Sequence, residues 1–299
     1  MPITIFFYVF LFVFGIIIGS FLNVCIYRIP LKETVVTEPS HCMSCGHRLA
    51  WYDLFPLFSW LFLGGRCRYC KAKISKQYPI VEGVNGMVWV LCFLTMGFFP
   101  HLSLYWKADG SLGFLITDLG IYSLFSYFLG CLVCSALIVL SVIDWRTYEI
   151  PFKINIFIFV IGLVKLAARM FVDSKMYCLN LTGDISLLEK LNAYGAWREF
   201  IIGFFAVSVP LLIILLISKG RAMGGGDVKL MAAAGLFLGW KLAIVALLFG
   251  CLYGSVIHII RMKIEGEGSK LAMGPYLSAG IVTAMWFGQK IVDWYSSLF

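Results

Sequence analysis

The sequence predicts an all-α polytopic membrane protein of about eight transmembrane helices, with a small four-cysteine, zinc-ribbon-like loop domain near its N-terminus. Three observations carry this expectation. Of 299 residues, 61% are hydrophobic and only 13% charged, a balance that ordinary water-soluble domains do not reach. Uncharged runs long enough to cross a bilayer recur along the chain. Finally, the one long hydrophilic stretch holds two Cys-x-x-Cys pairs.

The first run, Thr4–Ile26, has no basic residue before it and is too long for a signal-peptide core, so it reads as a retained span. It ends in Gly19-Ser20-Phe21-Leu22-Asn23, where small residues permit close helix approach and Asn23 needs a polar partner. Further spans are expected at Gly83–Trp106, Leu119–Ile143, about Ile154–Met170, Phe200–Ser218, Leu230–Trp240, Leu242–Ile260 and Leu271–Gln289. Leu230–Trp240 is short and borrows Asp227–Lys229 as its first turn. Lys165 and Arg169 interrupt the fourth run, where long side chains can snorkel to an interface. The expected division is residues 1–27 as the first helix, 28–81 as the cysteine domain, and 82–299 as the membrane core.

The net charge of +8 does not point to nucleic acid, because of where it lies. If the cysteine loop is cytoplasmic, alternating spans place Asp144–Lys153, Lys219–Lys229 and Arg261–Lys270 on the same side. These four regions hold 16 of the 24 Lys and Arg residues, a positive-inside distribution. The basic balance orients the chain in the bilayer.

Among ten cysteines, Cys25, Cys92, Cys131, Cys134 and Cys251 fall in apolar runs and read as small hydrophobes. Cys42, Cys45, Cys67 and Cys70 form two knuckles with 21 residues between them. Four thiolates so spaced suit one tetrahedral zinc, and a site with no open position is structural. A disulfide is disfavoured in a reducing cytoplasm. Between the knuckles, Trp51-Tyr52-Asp53, Pro56 and Trp60 through Gly64-Gly65 make an aromatic, turn-rich surface that either packs on the membrane face or meets a ligand.

Two carboxylates stand out. Asp227 closes the run Met223-Gly224-Gly225-Gly226-Asp227-Val228-Lys229, wedged between apolar segments. Asp144 ends the span Leu119–Ile143 and precedes Ile150-Pro151. Acids at a membrane edge are functional-site candidates by default. Their bland alternatives are helix capping for Asp227 and pairing with Arg146 for Asp144. The span count brings both to one membrane face, 83 residues apart in sequence. Two close carboxyls cannot both ionise cheaply, so one keeps its proton and the pair can activate water against a peptide carbonyl. Glycines 224–226 let an extended substrate backbone lie close.

These residues together resemble the type IV prepilin peptidases, the bifunctional leader peptidase and N-methyltransferase family. The resemblance covers nearly the whole chain: Gly19-Ser20-Phe21-Leu22-Asn23 with Arg28 and Pro30, the paired knuckles, Tyr78-Pro79 with Glu82, Asp144 with Ile150-Pro151, Gly224-Gly225-Gly226-Asp227 with Lys229, and Gly274-Pro275. It implies an intramembrane aspartic protease with Asp144 and Asp227 as its pair, in a bacterial inner membrane. Such an enzyme removes the basic leader of prepilins or pseudopilins after a glycine at the cytoplasmic face. It then methylates the exposed amine with S-adenosylmethionine. Under this resemblance Asn23, Gly224, Gly226, Lys229 and Gly274 are candidates for substrate contact, and Gly64, Gly65, Asp53 and Glu82 for the methyl-donor site. Two departures are visible: Phe152 stands where the family often has aspartate, and Ala272-Met273-Gly274-Pro275 replaces Pro-Phe-Gly-Pro. No glycine-rich dinucleotide fingerprint follows a strand.

Two other classes fit parts of the pattern. A proton-coupled transporter with a regulatory zinc domain uses paired intramembrane acids, but such proteins carry internal repeats and midplane acids. A membrane-anchored zinc module leaves both aspartates without a purpose.

Overall fold

A computed structural model describes residues 2–35, 39–95, 102–106, 112–116, 118–180, 197–221, 223–265 and 271–298. The described chain is helical almost throughout. In order it runs α1 (Pro2–Leu31), α2 (Phe58–Phe62), α3 (Gln77–Thr95), a hairpin of β1 (Leu102–Trp106) and β2 (Leu112–Ile116), α4 (Asp118–Thr147), α5 (Phe152–Asn180), α6 (Arg198–Ile217), α7 (Gly225–Leu238), α8 (Trp240–Glu265) and α9 (Gly274–Ser296).

Each stretch expected to span is helical over at least part of its length, but the count of eight is not confirmed. Among the described residues, six helices are long and apolar enough to cross a membrane: Ile5–Leu31, Gln77–Thr95, Ile121–Thr147, Phe152–Ser174, Arg198–Ile217 and Trp240–Ile264. Helix α7 has 14 residues, about 21 Å at 1.5 Å per residue, against a hydrocarbon core of about 30 Å. Helix α9 carries Lys290 and Asp293 toward its end. The second expected span also moves. Its helix starts at Gln77, with Pro79 tolerated in the first turn, and ends at Thr95, while Leu102–Trp106 pairs as a strand with Leu112–Ile116. With α1 reaching Leu31, the cysteine loop is narrower than residues 28–81.

Helix α4 is the centre of the bundle: 72% of its span is buried, against 22–39% for the other five. It packs on α1, α3, α5 and α9. Lipid supplies no hydrophobic drive between helices, so close packing and polar contacts must hold them. Glycines make three such seams. A Cβ at Gly15 would lie 2.8 Å from Gly86 Cα on α3, and one at Gly19 would lie 2.7 Å from Glu82 Cα. On α6 and α7, Gly203 and Gly235 face each other so closely that a Cβ on either would strike the other's carbonyl. Gly250 and Gly280 make the third, between α8 and α9: a Cβ at Gly280 would strike Ala246 O and lie 2.6 Å from Gly250 N, and one at Gly250 would lie 2.9 Å from Leu277 Cδ2. A buried polar chain adds direction to the α1–α3–α4 contact: Asn85 Nδ2 donates to Gly15 O (2.7 Å), Ser135 Oγ to Asn85 Oδ1 (2.8 Å), and Trp89 Nε1 to Ser135 Oγ (3.1 Å).

Helix α7 is short because both of its ends are held inside the bundle. Gly224 is its extended N-cap residue, and Gly239, at φ +85°, ends it by returning its N–H to Gly235 O at 2.9 Å. Lys165 of α5 donates to the Phe237 carbonyl (2.9 Å) and lies 4.0 Å from the centre of that ring. A cation at a helix C-terminus meets the negative end of the helix dipole.

Candidate active site

Asp144 lies three residues before the end of α4, where Tyr148 in the left-handed region closes the helix through its N–H to Asp144 O, 2.8 Å. Asp227 lies in the first turn of α7. Both are buried, at 4% and 7% exposure, which is rare for carboxylates without a task. Gly274 N–H donates to Asp144 Oδ2 at 2.8 Å. The Gly224 backbone borders the Asp227 carboxyl. Asp144 is also near enough to act electrostatically on Asp227. The pairing of Asp144 with Arg146 does not form. Arg146 instead binds Gln77 Oε1 and lies over the Tyr27 ring at 5.3 Å.

The glycines are explained by what surrounds the pair. A side chain at Gly274 would press on Asp144 Oδ2 at 2.7 Å and on Leu140 at 3.0 Å, so only glycine brings that N–H to the carboxylate. A Cβ at Gly226 would meet Ile150 at 2.9 Å. This seats the start of α7 against the turn between α4 and α5. Gly224 borders Asp227 Oδ2, 3.2 Å from where its own Cβ would stand. Lys229 is exposed, 4.8 Å from the centre of the Phe152 ring. The aromatic that replaces the family's aspartate is therefore a partner for that lysine. Asn23 is occupied by the fold: its Nδ2 donates to Gly19 O (3.4 Å) and Tyr78 O (3.1 Å), and its Oδ1 accepts from Gln77 Nε2 (3.5 Å).

Sequence reasoning passed over Asn155. It is 3% exposed on α5, its Nδ2 donates to Gly226 O at 3.3 Å, and its Oδ1 is buried without a partner. The available signal was a single amide side chain opening an apolar run.

The four knuckle sulfurs lie within 4.8 Å of one another, and Cys42 Sγ is 3.9 Å from Cys70 Sγ. A tetrahedron with zinc–sulfur bonds of 2.3 Å needs sulfurs about 3.8 Å apart, so the residues fit that ion. The knuckles repeat one another. Cys42 N–H donates to His47 O and Cys67 N–H to Ala72 O, while Gly46 and Lys71 return their N–H groups to Cys42 O and Cys67 O. Gly46 (φ +69°) and Lys71 (φ +59°) occupy the same left-handed position. Backbone N–H groups of Ser44 and Cys45 bring the Cys42 thiol down to about 6, which favours the thiolate a metal needs.

The residues considered for the methyl-donor site are engaged internally. Burial alone would raise the Asp53 carboxyl, but Arg68 Nε (2.7 Å), the Ala50 N–H (3.3 Å) and the Tyr69 hydroxyl (3.1 Å) together hold it below its ordinary value. Glu82 Oε2 accepts the Leu57 N–H at 2.7 Å. Gly64 and Gly65, at φ +59° and +67°, turn the chain from α2 into the second knuckle, and Gly65 lies under the Trp60 ring.

Two family models match the chain. Residues 13–96 match the bacterial peptidase A24 N-terminal domain, which takes in all four knuckle cysteines, and residues 131–259 match the type IV leader peptidase family, which takes in both aspartates. A prepilin leader peptidase/N-methyltransferase of Pectobacterium carotovorum subsp. carotovorum is 31% identical over 302 residues, covering 91% of this chain and 90% of that protein. This chain belongs to the type IV leader peptidase family. Proteins of the same name from Myxococcus xanthus (32%, 87% of this chain, 65% of that protein) and Stutzerimonas stutzeri (28%, 95% and 91%) also match. No solved structure matches the chain. As a member of the type IV leader peptidase family the protein is an enzyme, and its relatives' names join a peptidase to a methyltransferase.

Proposed function

We propose that Asp144 and Asp227 are the catalytic pair of an aspartic endopeptidase within the membrane. It removes the basic leader of type IV prepilins or pseudopilins at the cytoplasmic face of the inner membrane. The observation that carries this is two buried carboxyls on the ends of separate helices, one holding the Gly274 N–H and the other near enough to feel its charge. Like charges so placed share a proton. The ionised carboxylate takes a proton from water as the water oxygen attacks the scissile carbonyl carbon, and the neutral carboxyl hydrogen-bonds the carbonyl oxygen. When the tetrahedral intermediate collapses, the carbon–nitrogen bond breaks and a carboxyl proton passes to the leaving amine. Gly224 leaves room for the substrate backbone, with Lys229 at the rim, while Gly226 acts through its contact with Ile150. Gly274 and Asn23 act through the scaffold: one orients Asp144, the other ties α1 to α3. The expected pH–rate profile is bell-shaped, falling where both carboxyls are charged and where both are neutral.

The second activity is N-methylation of the new N-terminal amine, with the methyl group coming from S-adenosylmethionine. The loop around Gly64, Gly65, Asp53 and Glu82 is our candidate for the donor's neighbourhood, where the two carboxylates brace the loop. Zinc in the four-cysteine site would be structural, since no ligand position stays open. Nothing in the relatives' names favours the transporter reading.

Intact-mass spectrometry of a prepilin incubated with purified protein, with and without S-adenosylmethionine, tests both activities. Wild type should remove the leader mass and, only with the donor, add one methyl group. Asp144→Asn and Asp227→Asn should do neither. Continued cleavage by both variants would remove the aspartate pair from the mechanism.

A further inference from the structure

The described residues between the knuckles carry more exposed apolar surface than a water-facing loop sustains. Trp51 is 78% exposed, Leu61 68% and Phe62 84%, with Leu54, Phe55 and Phe58 also open. Tyr52, Phe55, Phe58, Ser59, Phe62 and Arg68 line a shallow groove of about 420 Å³ on the same face. Contiguous apolar patches of this kind mark an interaction surface.

Two contacts set the height of this surface. The Leu57 N–H is bonded to Glu82 Oε2, and Leu57 Cδ2 lies 3.8 Å from where a Cβ of Gly83 would be. Glu82 stands five residues into α3, about 7.5 Å along the helix from Gln77. The lipid-facing row of α3, exposed at Ile80, Val84 and Met87, has already begun there. Leu57 is thus pinned beside the membrane-spanning part of α3, over its seam with Gly19 of α1. The aromatic residues on either side cannot stand clear of a bilayer that covers Ile80 and Val84. Around them the second knuckle and the approach to α3 supply Arg66, Arg68, Lys71, Lys73 and Lys76. An apolar, aromatic face rimmed by cations suits the headgroup–acyl boundary of an anionic membrane.

We propose that Trp51–Phe62 is an interfacial anchor that inserts into the anionic lipid leaflet beside α1 and α3, with Glu82 as the internal tether that sets its depth. Phe62, Leu61 and Trp51 enter the acyl boundary, and the basic residues meet lipid phosphates. The knuckles are thereby held flat against the membrane face to which α4 delivers Asp144.

Photoreactive benzoylphenylalanine at position 62 tests this directly, in full-length protein reconstituted into phosphatidylglycerol/phosphatidylethanolamine vesicles. The comparison site is Met43, also largely solvent-exposed, at 73%, but on the first knuckle. Both positions are exposed, so neither label disturbs packing, and zinc content checks the fold. Lipid adducts at position 62 should exceed those at 43 by about tenfold, as acyl-chain contact requires. Phe62→Ser/Leu61→Ser protein labelled at Phe58 should lose most of its lipid adducts. Equal lipid labelling at 62 and 43 would overturn the proposal. So would labelling at 62 that moves from lipid to an added prepilin, because the face would then be a protein-binding surface.

Discussion

In the membrane core, Asp144 and Asp227 sit on helix ends that packing fixes from several sides: Gly274 and Leu140 around one, Ile150 and Asn155 around the other. In the cysteine loop, the four sulfurs sit on two tight turns with almost nothing beneath them. Of its described residues 39–76, only Gly65 and Cys67 are buried. The core holds its functional groups by close helix contact, so its geometry survives loss of a charge. The loop has no apolar interior, so an ion must supply the energy that burial supplies elsewhere. The difference shows how one chain can carry two sites whose failure modes are separate.

Removing the metal should produce the largest separation. A strong zinc chelator should withdraw on the order of 10 kcal/mol from the loop. Limited proteolysis should then cut within residues 39–76 while helical circular dichroism stays unchanged; a loop that remained protected would put it in the same class as the core. The converse test is Asp144→Asn or Asp227→Asn, which should lower leader cleavage by about 10⁴-fold or more, since paired catalytic groups act as a unit. Zinc content and thermal stability should not fall in these variants, and a collapse of either would make the aspartates structural.

Gly235→Ala drives a methyl group into the Gly203 carbonyl across the α6–α7 seam. It should cost about 1–3 kcal/mol of core stability, read as a lower unfolding midpoint in detergent, and should leave metal content intact. Asn155→Ala leaves the Gly226 carbonyl without its donor, worth about 1–2 kcal/mol. It should lower kcat about tenfold at nearly constant KM, because it positions α7 rather than binding substrate. A rise in KM alone would instead assign Asn155 to substrate contact. The smallest effect belongs to the loop: Lys71→Gly removes a left-handed side chain where the first knuckle has Gly46. It should stabilise the metal-loaded loop by about 1 kcal/mol, measured as slower zinc release to a competing chelator.

Composition and motif spacing were enough to read the membrane class, most of the helix positions and the four-cysteine cluster, and to single out both aspartates as candidates. Each depends on local regularities: uncharged runs of span length, a fixed gap between knuckle cysteines, and glycines that only a tight approach requires. Packing decided the rest. Whether Leu230–Trp240 spans the membrane turned on Gly239 and Lys165 closing α7 early, and Lys165 lies 72 residues from the carbonyl it caps. Asn23 and Glu82 look like site residues in a linear reading, yet their partners are Tyr78 and Leu57, brought to them only when α1, α3 and the loop assemble. Asn155 was inconspicuous because its importance lies in one contact with Gly226. Sequence determines which side chains are polar, how often apolar ones recur and where the backbone can bend. Which polar atom finds which partner across helices is a property of the assembled bundle, because in a bilayer each buried donor must be matched within the protein.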